Sequence, residues 1–270
     1  MESTSKTNPL NVPMAIVVAG LLVAGAIFLR GSENLTPIKE ATMPNAIPQQ
    51  PTGAIKLRPI DGTDYIRGNP DANIVFVEFS DTECPFCKRF HNVMLQVMNE
   101  YGKAGKVAWV YRQYPIVQLH SKAPKESEAL LCAGDLGGNA KFWDYTDKLF
   151  EATPSNDGLD LLSLPRMAKE IGLNEKSFAD CLSSGRGQSR IQIDMTDGAN
   201  AGVNGTPHSV LVLKSPISEE AKTTLVGLFE PYRDNQGQLP ITFSADGLRV
   251  GMNGSLPYQL VKSTIDTLLR

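Results

Sequence analysis

One stretch of the chain, residues 74–87 (IVFVEFSDTECPFC), decides the fold. It opens with an apolar run that is typical of a strand, and apolar residues then recur at three- and four-residue steps, as on one face of a helix. We therefore predict a strand over residues 73–80 and a helix over residues 84–101. Pro85 suits the first helical turn, where a backbone N–H has no intrahelical acceptor. This arrangement delivers Cys84 to the N-terminus of a helix.

The two cysteines of this stretch, Cys84 and Cys87, are spaced for disulfide exchange. The free N–H groups and the dipole of a helix N-terminus favour a thiolate, and they lower a cysteine pKa from about 8.5 to about 3.5–7.5. A C-x-x-C motif is also half of many zinc sites. The sequence has no second C-x-x-C, and His91, His120 and His208 lack the spacing of a zinc finger. We therefore interpret the pair as a redox site, with no metal and no cofactor.

Composition describes an ordinary globular protein. The chain has 270 residues, of which 41% are hydrophobic and 20% are charged, and this is enough for one or two domains. The net charge of -3 gives no electrostatic case for binding nucleic acid. Four cysteines permit an oxidising compartment without requiring one.

The N-terminal region has two interpretations. Residues 13–29 carry no charge, and about 20 apolar residues span a bilayer. A cleaved signal peptide is one reading; an uncleaved transmembrane anchor is favoured because the apolar run continues to Leu29. We then expect residues 1–12 to be a cytoplasmic tail and residues 30–60, rich in proline, to be a tether. The expected localisation is the cell membrane, single-pass, with the catalytic domain outside the cytoplasm, where an oxidase belongs.

The globular part is placed at residues 61–270. A strand near Tyr65 and another at residues 107–111 complete a β-α-β unit with the strand and helix described above. Gly, Pro, Asn and Asp breaks then separate helical patterns near residues 124–136, 139–152, 160–171, 174–183 and 188–201. These form a helical insert at about residues 115–202. A strand at 210–213, a helix candidate within 215–246, a hairpin over 241–250 and a last helix from Ser255 follow.

Two distant motifs carry a family resemblance. C-P-F-C at residues 84–87 and G-T-P at residues 205–207, each next to an apolar strand, together resemble the thioredoxin fold. The helical stretch between them, with Cys132-Ala133, FWDY at 142–145 and FADCL at 178–182, resembles the DsbA-like thiol-disulfide oxidoreductases, in particular their membrane-anchored BdbD-type branch. The resemblance covers about residues 62–270. It implies an α/β, thioredoxin-like fold with an inserted helical domain, although the segment 215–246 is longer than the short hairpin turn expected there.

The resemblance also implies roles for five site residues. Cys84 matches the exposed nucleophile, and Cys87 matches the buried resolving thiol. Pro207 matches the cis-proline that sits against the active-site disulfide. Thr206 matches the residue that offers backbone hydrogen bonds to an extended substrate. Glu78 matches an acidic residue beneath the resolving cysteine.

Glu78 also stands out without the resemblance. A carboxylate within an apolar run is costly unless it is exposed or useful. If it is buried, its pKa rises and it can exchange a proton with Cys87. The alternative is a solvated strand position. Of the histidines, we expect His91 to be solvated and His120 to pack or to form hydrogen bonds.

The remaining cysteines, Cys132 and Cys181, lie on two separate helix candidates. Neither has a neighbouring cysteine, a helix N-terminal proline or a basic cluster that would mark it as reactive. We predict a structural disulfide between them. The alternative is a pair of buried free thiols.

These observations leave alternatives for function. The favoured one is a membrane-tethered oxidoreductase that introduces disulfides into reduced exported proteins and is reoxidised by a membrane quinone-linked partner. The alternatives are a disulfide isomerase or reductase, and a peptide-binding chaperone whose cysteines are idle. The sequence does not fix the redox potential, because Phe86 brings no charge to the thiolate while Asp81 and Glu83 oppose it.

Overall fold

The computed structural model describes residues 55–270, which fold around one six-stranded sheet. The strands are β1 (Ile66–Gly68), β2 (Ile74–Ser80), β3 (Val107–Gln113), β4 (His208–Leu213), β5 (Ile241–Phe243) and β6 (Arg249–Asn253). Their order across the sheet is β1-β3-β2-β4-β6-β5. Strands β2 and β3 are parallel and the other neighbours are antiparallel. The parallel pair needs a crossover connection, and a helix supplies it.

Seven α-helices accompany the sheet within the described residues. They are α1 (Pro85–Val97), α2 (Ala123–Ala152), α3 (Leu164–Glu170), α4 (Glu175–Ser184), α5 (Gln188–Ala201), α6 (Glu219–Phe229) and α7 (Tyr258–Leu268). Helices α2 to α5 lie in the chain between β3 and β4. The predicted fold class, α/β and thioredoxin-like with inserted helices, is confirmed.

Three helix boundaries differ from the sequence prediction for local reasons. The crossover helix ends as an α-helix at Val97 and continues as a π-helical turn, Met98–Gly102. The two predicted helices on either side of Gly138 form one bent element, because glycine accepts the positive φ of 71° at the bend. The last helix begins at Tyr258, since Pro257 before it is extended.

Each face of the sheet has its own core. Alternate residues of the central strands, Phe76 and Trp109 among them, face α1, α6, α7 and the inserted helices. The opposite residues pack against the end of α5 and against three apolar side chains of the segment before β1, namely Ile55, Leu57 and Ile60. Composition predicts that residues 55–60 belong to the tether, whereas in the structure they belong to the folded body.

A buried ionic network fixes this N-terminal segment to the body. Arg112, fully buried at the end of β3, pairs with Asp64 at 2.9 Å and with Asp197 of α5 at 2.5 Å. Arg58 pairs with Asp64 at 2.6 Å, and its backbone N–H donates to Asp197 at 2.6 Å. Buried charges are tolerated when they are paired in this way. The network therefore ties together the segment before β1, the end of β3 and helix α5.

Cys132 of α2 and Cys181 of α4 form a disulfide, with 5.9 Å between their Cα atoms. Both residues are 2% exposed. The bridge therefore joins two of the inserted helices to each other and involves neither active-site cysteine.

The predicted tail, anchor and most of the tether, residues 1–54, lie outside the described residues. Within residues 55–270, none of the helices has both the length and the apolar character needed to cross a membrane.

Candidate active site

Cys84 and Cys87 lie at the start of α1, immediately after β2. Cys84 is the N-cap residue, with an extended backbone (φ −76°, ψ 121°), and Pro85 begins the helix. Cys84 is 5% exposed and Cys87 is fully buried. The resemblance implies an exposed Cys84, but only a small part of its surface reaches solvent. The loop at Thr206 lies over it, and the Thr206 carbonyl oxygen is 3.5 Å from the Cys84 Sγ.

The surroundings of Cys84 favour its thiolate. A hydrogen bond from the Cys87 thiol lowers the pKa of Cys84 to about 6, against the opposing effect of burial. The backbone N–H groups of Cys87 and Phe86 also donate to the sulfur. These are the free donors that a helix N-terminus presents. At neutral pH Cys84 is therefore mostly a thiolate, which is the nucleophilic form.

Cys87 has the opposite character. Burial raises the pKa of the Cys87 thiol well above its usual value, and the neighbouring Cys84 and Glu78 charges raise it further. The backbone N–H of Asp81 lies 3.4 Å from the Cys87 Sγ. Cys84 is therefore the sulfur that attacks or is attacked, whereas Cys87 keeps its proton.

We expect alkylation to distinguish the two thiols. With the protein reduced at Cys84 and Cys87, the rate of carbamidomethylation at Cys84 should follow its thiolate and rise through a midpoint near pH 6. Cys87 should stay unmodified in the same range because it is buried and protonated. Peptide mapping after quenching at each pH measures both rates. Equal labelling, or labelling of Cys87 first, would contradict the assignment of the nucleophile.

Glu78 lies on β2 with its side chain in the same core as Cys87. It is fully buried, and the Trp109 Nε1 donates to its Oε2 at 2.9 Å. The solvated alternative is therefore excluded. Burial raises the pKa of Glu78 to about 7, with hydrogen bonds from Ser80 and Trp109 acting in the opposite direction. A carboxyl that titrates near neutral pH beside a buried thiol is suited to give and take a proton.

We predict that Glu78→Gln slows attack by Cys87 while leaving Cys84 reactive. The amide keeps the shape and the hydrogen bond from Trp109 but cannot remove the Cys87 proton. Release of glutathione from a Cys84–glutathione mixed disulfide should slow by a factor on the order of 100, and its rise with pH through about 7 should disappear. Glu151→Gln, an exposed position, is the matched control. An unchanged pH profile in Glu78→Gln would remove Glu78 from the mechanism.

The loop between β2 and α1 is buried and polar. The Asp81 carboxylate accepts hydrogen bonds from the backbone N–H of Ile116 at 2.7 Å and of Glu83 at 2.9 Å, and it lies 2.9 Å from the His120 Nδ1. Burial lowers the pKa of His120, but the hydrogen bond to Asp81 and its charge outweigh this, so the net shift is upward. His120 thus has the hydrogen-bonding role expected for it. Its partner is Asp81, one of the two acidic residues whose charge is expected to oppose the Cys84 thiolate.

The expectation of a solvated His91 is wrong. His91 is 2% exposed, stacks on Phe150 at 4.6 Å between ring centroids, and its Nε2 lies 2.9 Å from an Asp147 oxygen. Both partners, Phe150 and Asp147, lie on α2, which covers the face of α1 that carries His91. Burial lowers the pKa of His91 despite the hydrogen bond to Asp147.

A pair of buried carboxyl groups was missed by sequence reasoning. Glu83, next to Cys84, accepts hydrogen bonds from Thr153 Oγ1 at 3.1 Å and from the backbone N–H groups of Gly158 and Leu159 at 3.3 Å each. Burial, together with a hydrogen bond to Glu83, raises the pKa of Glu126 on α2 to about 9. Glu126 therefore holds its proton at neutral pH, and the pair connects the residue before the nucleophile to the inserted helices.

The sequence did contain a signal for Glu126. It precedes Leu130 and Ala133 by four and seven residues, so it continues the buried face of a helix. A carboxyl on such a face needs a partner or a proton.

We expect Glu126→Gln to change how stability depends on pH. The folded-state pKa of Glu126 is raised from 4.5 to about 9, so between these values the folded protein binds a proton that the unfolded chain lacks. Its stability then falls as pH rises, by up to about 1.4 kcal/mol per pH unit. Glutamine keeps the donor toward Glu83 and does not titrate. The advantage of Glu126→Gln in unfolding free energy, measured in urea, should grow from pH 5 to pH 9.

The control for this measurement is Glu151→Gln at an exposed position. Its unfolding free energy should run parallel to that of the wild type at every pH. A parallel curve for Glu126→Gln as well would contradict a protonated Glu126.

The loop before β4 completes the site. The Thr206–Pro207 peptide bond is cis, and the Pro207 carbonyl accepts a hydrogen bond from the Gly254 backbone N–H at 2.9 Å. The Thr206 carbonyl oxygen before it lies against Cys84. The structure thus brings Cys84, Cys87, Thr206 and Pro207 together, with Glu78 in the core below. In residues 55–270, there is no group of three or more His, Cys, Asp or Glu side chains placed to hold a metal ion.

The chain is similar in sequence to a known family and to curated relatives. A family model described as Thioredoxin matches residues 61–222, more than half of the chain. Curated relatives include the Na(+)/H(+) antiporter NhaA 1 of Mycobacterium sp. (strain KMS), which is 30% identical over 163 residues, 59% of this chain and 25% of the antiporter. Another is NhaA 3 of Salinispora tropica, 28% identical over 198 residues, 73% of this chain and 28% of the antiporter. The chain spans about a quarter of the length of these relatives.

Solved structures share the fold. Oxidised BdbD from Bacillus subtilis aligns with a TM-score of 0.60 and 18% identity, over 80% of this chain and 98% of BdbD. The α-DsbA1 of Wolbachia pipientis aligns with a TM-score of 0.56 and 20% identity, over 78% of this chain and 92% of α-DsbA1. At this level of identity the likeness concerns the fold.

Proposed function

Because the chain belongs to the thioredoxin family, we propose that it is a thiol-disulfide oxidoreductase that introduces disulfide bonds into exported proteins. One observation carries the proposal. The pKa of Cys84 is lowered to about 6, the pKa of Cys87 beside it is raised, and the cis-proline loop lies against the Cys84 sulfur. This difference in pKa makes Cys84 the sulfur that exchanges disulfides and Cys87 the one that keeps its proton.

The proposed reaction starts from a Cys84–Cys87 disulfide. A substrate thiolate attacks the Cys84 Sγ, the Cys84–Cys87 bond breaks, and Cys87 takes a proton from Glu78. A second substrate thiolate then attacks its own half of the mixed disulfide. The substrate disulfide forms and Cys84 leaves as a thiolate. Two electrons pass from the substrate to the Cys84–Cys87 pair.

The stabilised Cys84 thiolate favours transfer of the disulfide from the protein to its substrate. Interactions that stabilise the Cys84 thiolate stabilise the reduced protein relative to the disulfide, so the disulfide becomes a stronger oxidant. This favours an oxidase over the alternatives, a disulfide isomerase or reductase. A peptide-binding chaperone with idle cysteines has no need for so low a pKa at Cys84.

The same proposal includes the membrane and a partner. Each turnover consumes the Cys84–Cys87 disulfide, so an oxidant must restore it, and a membrane quinone-linked protein is the proposed one. The uncharged run at residues 13–29 supports a membrane anchor, and the proline-rich residues that follow support a tether. Residues 13–29 and most of the tether, up to residue 54, lie outside the described residues.

The test is the resting state of the site in the cell, trapped by acid quenching and alkylation. An oxidase rests with Cys84 and Cys87 as a disulfide, and an isomerase or reductase rests as a dithiol. A chaperone protects its substrates equally well with both cysteines replaced by serine. A resting dithiol, or full function of the double variant in cells, would overturn the proposed oxidase.

The proposed orientation in the membrane has a separate test. A reporter enzyme that is active only after export, fused after Arg270, should be active. A silent export reporter beside an active cytosolic reporter would reverse the proposed orientation and favour a reductase.

A further inference from the structure

A cavity of about 610 Å³ opens beside the cis-proline loop. Ala201 and Gly202 line it, so it lies on the face of the sheet against which the end of α5 packs. Helix α1 and the buried Cys87 lie on the opposite face. The volume is in the range of ligand-binding pockets, about 300–1,000 Å³. None of the steps proposed above uses this cavity.

Two parts of the chain build its walls. One wall is the loop at residues 204–208, and the other is the segment after α6, which contributes Tyr232 and Gln238. The floor is open because Gly251 has no side chain: a Cβ there would lie 2.5 Å from the Thr242 Oγ1 and 3.7 Å from the His208 Nε2. The segment that departs from the family pattern, residues 215–246, therefore supplies one side of the cavity.

His208 presents a buried, unused acceptor at this cavity. The side chain lines the cavity and the residue is 7% exposed. Its Nδ1 lies 3.3 Å from the Asn253 Oδ1, so Nδ1–H donates and the neutral ring keeps a lone pair on Nε2. Within residues 55–270, Nε2 has no hydrogen-bond partner. A buried acceptor without a donor is unfavourable, and a ligand that donates a hydrogen bond would remove this cost.

The charge of the lining restricts the ligand. Of the residues described, Asp234 provides the sole charged side chain at the cavity. Its Oδ1 accepts hydrogen bonds from the backbone N–H groups of Gln236 and Gln238, both at 2.8 Å, so it organises the loop. The other polar groups of the lining are amides and hydroxyls. Such a lining suits a group that donates a hydrogen bond, and the Asp234 charge disfavours an anion.

We propose that this cavity is a subsite for the polypeptide substrate, and that it takes a side chain near the reacting cysteine that donates a hydrogen bond and carries no negative charge. Thr206 joins the two places, because its carbonyl oxygen faces the Cys84 Sγ at 3.5 Å and the same residue lines the cavity. A substrate bound along Thr206 therefore passes both. His208 is the specificity-determining acceptor. The inference rests on the proposed function, since the occupant is its substrate.

The test uses oxidised full-length protein and reduced ten-residue peptides that contain two cysteines. Each position within three residues of the reacting cysteine carries Gln, Leu or Glu in turn. The readout is the peptide oxidation rate divided by the rate with dithiothreitol, so that changes at Cys84 itself cancel. Wild-type protein should prefer Gln over Leu and Glu at one position by a factor of roughly ten, the worth of one hydrogen bond.

Two variants locate the preference. His208→Phe should abolish the preference for Gln over Leu. Gln238→Ala, at an exposed position on the opposite wall, should raise the KM for the Gln peptide relative to that for the Leu peptide, and it keeps the test decisive if His208→Phe does not fold. Equal rates for all peptides, or a preference that survives in both variants, would overturn the subsite. Such a result would also be expected if another part of the chain fills the cavity.

Failure of the proposed function gives a different result. If the Cys84–Cys87 pair transfers no disulfide at all, wild-type protein oxidises neither the peptides nor dithiothreitol, and no ratio can be measured.

Discussion

Replacing Cys84 with serine should abolish disulfide transfer, whereas replacing Cys87 should stop the reaction at a mixed disulfide. Cys84 is the sulfur beside the Thr206 carbonyl and the one whose pKa is lowered to about 6, so it is the atom that exchanges. Cys87 is buried and protonated, and only it lies close enough to displace a partner from Cys84. The loss in Cys84→Ser should be complete, because serine forms no disulfide.

The measurement is covalent trapping. Cys87→Ser, loaded at Cys84 with thionitrobenzoate and mixed with a reduced polypeptide, should release the yellow thiolate and retain the polypeptide in a reducible adduct. Mass mapping should place the adduct at Cys84. Cys84→Ser treated in the same way should give no adduct. An adduct at Cys87 in Cys84→Ser, with wild-type turnover, would exchange the roles of the two residues.

Removing the Cys132–Cys181 disulfide should cost stability and leave the chemistry in place. The bridge joins α2 to α4 over a sequence separation of 49 residues. Closing a loop of that length stabilises a protein by about 4 kcal/mol in the chain-entropy model, within a measured range of about 0–5 kcal/mol. The double variant Cys132→Ala/Cys181→Ala should therefore unfold at a clearly lower urea concentration, with an unfolding free energy about 4 kcal/mol smaller.

The control is the order of reduction in the wild type. Mild dithiothreitol should open Cys84–Cys87 first, while Cys132–Cys181, each residue 2% exposed, should resist. Below its unfolding transition the double variant should keep wild-type rates of dithiothreitol oxidation. A free energy of unfolding within about 0.5 kcal/mol of the wild type, or free thiols at 132 and 181 in untreated protein, would contradict a structural bridge.

Local patterns explain why much of this site was predictable. The N-terminus of α1 is marked by an apolar strand, Pro85 and helical spacing within one short stretch, so the position of Cys84 follows from neighbouring residues. The cis peptide before Pro207 was implied by resemblance, because a proline in a loop does not itself specify its isomer.

The parts that were missed depend on contacts between distant segments. Glu83 meets residues 153–159 and Glu126, and nothing in its own neighbourhood indicates the helices that cover it. The prediction of a solvated His91 fails because its partners Asp147 and Phe150 lie more than 50 residues further along the chain. The cavity at His208 needs the segment after α6, whose position no local pattern predicts.

The most direct test is a single turnover between oxidised full-length protein and an equimolar reduced polypeptide that contains two cysteines. After an acid quench and alkylation, mass mapping counts the thiols on each partner. We predict that two thiols appear at Cys84 and Cys87 as two disappear from the polypeptide, with the Cys132–Cys181 disulfide unchanged. Polypeptide thiols that stay reduced while Cys84 and Cys87 remain a disulfide would contradict a function in disulfide transfer.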